Sequence, residues 1–109
     1  MIKPIINSEF MQFYNCQMEE KQAIEYGYKL LSSLDNIADQ IKLEVGEEGL
    51  ELLTSYHSTR WALLRYLSYL EQSNQMLTVL DAEIFATYLF TNLRDFEQLI
   101  DEEFSEYGF

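Results

Sequence analysis

Proline occurs once and glycine four times in this 109-residue chain. So few breakers leave little punctuation for a many-stranded fold and favour long helices. Cysteine occurs once, at Cys16, which excludes an internal disulfide and a multi-cysteine metal site and suits a reducing compartment. Bases are scarce: seven Lys and Arg stand against 19 Asp and Glu, a net charge of −12 at pH 7. That balance argues against direct contact with nucleic acid or an anionic membrane, both of which repel such a surface. No apolar run approaches the roughly 20 residues that span a bilayer. The opening "MIKPIINSEF" lacks the basic region and apolar core of a secretory signal. A soluble, cytoplasmic protein is the expectation.

What is present is a folding composition. Hydrophobic residues make up 48% and charged residues 24%, and the length suits one domain spanning residues 1–109. The acidity is uneven. Residues 81–109 hold eight acids and one base, whereas residues 1–80 hold 11 acids and six bases.

Helical spacing organises the chain. Asn7 or Ser8 can cap a first helix, with Ile6 stapling against Met11. A seam then runs through Phe13, Cys16, Glu20, Ala23, Gly27, Leu31, Leu34, Ala38, Ile41 and Val45 in steps of three or four. "SSLD" at 32–35 resembles a capping box, but the seam keeps its phase there, so one helix over about 8–45 is expected. Gly46 closes it. A second helix is expected over about 48–72, and a third over about 79–105, started by "TVLD". The fold class is all-α: an antiparallel bundle of three long helices, or four if the first breaks near 32–35.

Two charges fall among apolar residues. Arg60 lies within the arc of Leu52, Leu53, Tyr56, Leu63, Leu64, Leu67 and Leu70, and Glu20 lies within the first seam. A buried lone charge costs several kcal/mol, so a structural ion pair between Glu20 and Arg60 is the economical expectation. The alternative is that Arg60 snorkels to the bundle edge on its long stem.

No motif names an activity. The single His57 has no Glu three residues before it, as helical di-iron sites require, and "DEEFSE" at 101–106 lacks calcium-loop spacing. No phosphate-binding glycine loop or nucleophile elbow occurs. Cys16 and His57 are the one conceivable nucleophilic pair, and a thiol in an apolar seam is usually inert. No catalytic residue, cofactor or metal is therefore expected.

The surface is more informative. A bundle helix buries one stripe, yet the second and third helices carry aromatics in excess of one stripe. Trp61, Tyr66, Tyr69, Tyr88 and Phe90 are the candidates for exposure; on the third helix Glu83, Glu97 and Asp101 line one border of the core arc with Phe90, and Asp95, Glu102 and Glu106 line the other with Tyr88. Of these, Trp61, Tyr69, Tyr88, Phe90, Asp95, Glu102 and Glu106 form the expected partner-binding set. Such a surface suits a basic protein partner, and in its sharpest form mimics DNA or RNA to occlude a nucleic-acid-binding cleft. Eight acids over about 39 Å of helix give one charge per about 5 Å, against about 1.7 Å for duplex DNA. Mimicry therefore needs acids from other helices, such as Glu44, Glu47, Glu48 and Glu51, to converge on the same face. Two alternatives stand beside it: a self-associating structural or adaptor-like bundle, and, last, an enzyme using Glu20, His57 and Arg60 in an internal pocket.

Overall fold

A computed structural model of the chain describes residues 5–46, 50–71 and 78–104, and over them it contains four α-helices and no strand. These are α1 (Ser8–Tyr14), α2 (Glu20–Val45), α3 (Leu50–Leu70) and α4 (Val79–Phe104). The all-α bundle is present in its four-helix form, but the first helix breaks at residues 15–19 and not at 32–35. The expected ends at residues 48, 72 and 105 lie outside the described residues.

The break has a local form and a distant cause. Asn7 caps α1, its side-chain oxygen accepting from the Phe10 amide at 2.9 Å. At the other end Cys16 takes a left-handed backbone, φ 58°, with its amide on the Phe13 carbonyl and the Gln17 amide on the Gln12 carbonyl. This is a Schellman termination with cysteine where glycine usually stands. Cys16 is consequently exposed outside the helix, which corrects its expected place in an apolar seam. The turn lets α1 fold back so that Phe10 and Phe13 both enter the core. Phe10 meets Phe90 of α4 at 6.2 Å, and Phe13 meets Tyr26 and Tyr66 at 5.1 Å each. The Ile5 amide also donates to Glu97 of α4 at 2.7 Å. Burial of two phenylalanines outweighs helix continuity through "NCQME".

Helix α2 runs unbroken through "SSLD", because Asp35 is used in a tertiary bond instead of a cap. Gly46 ends the helix at φ 57°, donating to the Lys42 carbonyl. Antiparallel packing of α2 on α3 shows in three successive contacts. Tyr28 donates to Glu71 at 2.6 Å, Gly27 lies against Leu67, and Asp35 faces both Tyr56 and Arg60. Helix α4 opens with a reciprocal capping box. The Thr78 amide donates to the Asp81 carboxylate at 2.8 Å and the Asp81 amide to the Thr78 hydroxyl at 3.2 Å. Contacts of Tyr56 with Phe96 and of Trp61 with Phe85 set α4 antiparallel to α3. One core joins all four helices, with Phe13, Leu34, Ile41, Leu63, Leu67, Leu93, Phe96 and Ile100 almost fully enclosed.

Arg60 does not pair with Glu20. Its Nε lies 3.3 Å from Asp35, and Glu20 is exposed fifteen residues earlier on α2, about 22 Å away along the helix. The buried face of α3 explains the difference. It is centred on Thr59, Ala62, Leu63, Tyr66 and Leu67, so Arg60 sits at its border and reaches the edge on its stem. Both members of the Arg60–Asp35 pair are about two-fifths exposed, so solvent screens it and it contributes little alone. Asp35 also accepts a hydrogen bond from the Tyr56 phenol, giving that half-enclosed oxygen a partner.

The tyrosines make this packing measurable. Burial first, then the bond to Asp35, raises Tyr56 from its ordinary value near 10 to about 12. Burial, with Glu9 nearby, raises Tyr26 to about 12, and burial with the Cys16 contact raises Tyr66 as well. A phenol whose folded pKa is raised contributes stability in full below the unfolded value. That contribution is lost as pH climbs from about 10 through 12. Ultraviolet phenolate titration should therefore show Tyr26, Tyr56 and Tyr66 ionising late among the eight tyrosines, with Tyr28 also raised by its bond to Glu71, together with loss of helical circular dichroism. One titration of all eight near pH 10 with helix retained would contradict this packing.

Candidate interaction surface

Small side chains belong to the buried faces of α3 and α4. Thr59 and Ala62 on α3, and Ala82 and Ala86 on α4, are all buried. Side chains this short are enclosed only when neighbouring backbones come close. The Thr59 hydroxyl is satisfied within its own helix by the Ser55 carbonyl at 2.8 Å. Trp61 follows Arg60 on the side of α3 turned away from Leu63. It lies across the outer edge of α4.

There Trp61 meets two rings of α4. Its centroid is 5.7 Å from those of Phe85 and Tyr88, at interplanar angles of 81° and 85°, both edge-to-face arrangements. Phe85 is half-buried and ties the group to the core. Trp61 remains 47% exposed, Tyr88 44% and Ile84 55%, so three large apolar groups face solvent side by side. The Arg65 guanidinium, one turn beyond Trp61, stands over the indole at 5.6 Å from its centroid.

The acids continue the same edge. Asp81, Tyr88, Asp95 and Glu102 recur every seven residues, so they drift only about 20° per step and rise about 10.5 Å between neighbours. Asp81 is engaged in the helix cap, while Asp95 and Glu102 are exposed. Asp95 has Arg94 at 3.8 Å in a solvent-screened pair, and Glu102 accepts from Gln98 at 3.0 Å. The edge of α4 thus reads acid, aromatic, acid, acid over about 31 Å.

The expected partner-binding residues divide accordingly. Trp61, Tyr88, Asp95 and Glu102 share this edge. Phe90 does not: it packs on the opposite side of α4, 5.2 Å from Tyr14 and 6.2 Å from Phe10, beneath α1. Tyr69 is half-buried, stacked 6.5 Å from Tyr66, and Tyr66 itself is core with its hydroxyl 3.4 Å from the Cys16 sulfur. Glu106 lies outside the described residues. Phe85, Ile84 and Arg65 join the edge in addition to the expected set, and Phe85 with Tyr88 and Trp61 with Arg65 stand at the three- and four-residue spacings that make helix neighbours.

The chemical alternatives are dispersed. His57 is exposed, its ring 4.9 Å from that of Tyr56, while Glu20 and Arg60 are far apart as described above. Cys16 touches Tyr66, nine residues and about 14 Å along α3 from His57. Among the described residues no three His, Cys, Asp or Glu side chains are placed to hold a metal ion, and no helix is long and apolar enough to cross a membrane. Comparison of the chain with models of known families, with curated proteins and with solved structures found no match in any of the three.

Proposed function

We propose that this protein is a non-enzymatic interaction module that docks a basic protein on the α3–α4 edge. Occlusion of a nucleic-acid-binding surface is the most concrete form of that activity. The observation that carries the reading is the continuity of exposed Trp61 of α3 with Tyr88, Ile84, Asp95 and Glu102 along the adjoining edge of α4. Aromatics so placed are the usual energetic centres of protein interfaces, and flanking charges steer a partner of opposite sign. A net charge of −12 makes the complement basic and opposes a second copy of the same chain.

Charge density limits the mimicry. Three acids over about 31 Å give one per about 10 Å, far sparser than duplex DNA. The antiparallel topology helps at one end, since the exposed Glu44 near the end of α2 lies toward the Glu102 end of α4. Phosphate imitation along the whole edge is therefore the weaker version, and aromatic anchoring with acidic steering is the stronger. A cytoplasmic setting suits the exposed thiol of Cys16.

The test is capture of a basic partner by the immobilised chain at low salt, its release by high salt, and competition with nucleic acid. Trp61→Ala combined with Tyr88→Ala is expected to weaken binding to the purified partner by at least tenfold, the scale of two interface anchors. Asp95→Asn with Glu102→Gln is expected to slow association and flatten its salt dependence. Binding unchanged in both double variants would overturn the proposal. Self-association is the second reading, favoured by the apolar Ile84 beside the two rings. Sizing at two concentrations separates them, because a dimer held by this edge would dissociate in the Trp61→Ala, Tyr88→Ala variant.

A further inference from the structure

The position of Arg65 carries a more specific conclusion, which rests on the α3–α4 edge being the docking face. The chain has 19 acids, yet among the described residues the Arg65 guanidinium has no carboxylate within 4.0 Å and instead stands over Trp61. Tryptophan is the best of the aromatic faces for a cation. The Trp61 ring packs edge-to-face against Phe85 and Tyr88, whereas Arg65 is an exposed side chain on a flexible stem.

We propose that the Trp61 face is a receptor for one arginine side chain of the basic partner, and that Arg65 is an internal occupant which that side chain displaces. In the free protein Arg65 covers an aromatic surface that would otherwise meet water. On binding, the incoming guanidinium takes its place over the indole, and Arg65 swings into solvent. Steering by Asp95 and Glu102 brings a cationic segment to the edge, and Trp61 selects the residue that docks.

The test uses fluorescein-labelled nona-arginine, read by anisotropy at about 50 mM salt, with circular dichroism to verify that each variant is folded. Arg65→Gln and Lys29→Gln remove one positive charge each, the first at the receptor and the second at an exposed position on α2. Arg65→Gln is expected to tighten the peptide about two- to fivefold beyond Lys29→Gln, the range of an exposed cation–aromatic contact. In a Trp61→Leu background, which keeps apolar bulk and removes the ring, that excess should vanish. Peptide binding should also change the emission of Trp61, the only tryptophan. Equal effects of Arg65→Gln and Lys29→Gln, with salt-sensitive peptide binding retained, would overturn the displacement while leaving the docking face in place. No peptide binding at all would overturn both.

Discussion

Replacing Phe13 by alanine is expected to destabilise the protein by about 3–5 kcal/mol, the cost of truncating a fully enclosed aromatic. Phe13 is 1% exposed and joins three elements, meeting Phe10 within α1, Tyr26 on α2 and Tyr66 on α3. The cavity has little means of closing, because Tyr26 and Tyr66 are anchored on long helices and α1 is only seven residues long. Native stabilities of about 5–15 kcal/mol put this loss near the limit of folding at moderate temperature. Urea unfolding followed by circular dichroism measures it, and the melting temperature should fall by more than about 12 °C. A loss below about 1 kcal/mol would mean that α1 is not packed on the bundle as described.

The second large effect concerns Gly27. A Cβ built there would collide with the Leu67 side chain, which is itself 1% exposed and hemmed in by core. Gly27→Val is expected to cost about 2–3 kcal/mol, since overpacking outweighs the few tenths regained from helix propensity. Leu67→Ala alone should cost about 2–5 kcal/mol through its cavity. The two should not add. In the double variant the valine methyls occupy space vacated by leucine, so the combined loss should fall short of the sum by about 1–3 kcal/mol. Strict additivity would contradict the contact between α2 and α3 at this level. The choice of glycine in mid-helix is thereby explained by close approach and not by backbone conformation.

These two residues also show what was legible in the sequence. Local chemistry read well: the Asn7 cap, the Thr78–Asp81 box and the Gly46 terminus each act within a few residues, and each is present. The break at 15–19 did not, because it carries neither glycine nor proline and is driven by Phe10 and Phe13 reaching distant rings. The helical pattern puts Arg60 amid its leucines because large apolar residues dominate it. The buried face includes Thr59 and Ala62, which add little hydrophobicity to the pattern yet are fully enclosed. Trp61 and Tyr88 lie outside that face. Phe90 and Tyr69 belong to the opposite outcome, since their burial depends on where α1 and Tyr66 lie.

The proposal that a basic partner docks on the α3–α4 edge is most directly tested by nuclear magnetic resonance. The ¹⁵N-labelled protein is titrated with nona-arginine at about 50 mM salt, and amide and indole shifts are followed. The largest shifts are expected at the Trp61 indole N–H and at the amides of Tyr88, Asp95 and Glu102, shrinking as added salt screens the charges. Shifts centred instead on the exposed acids of α2, such as Glu25, Asp39 and Glu44, would place binding elsewhere and contradict the account.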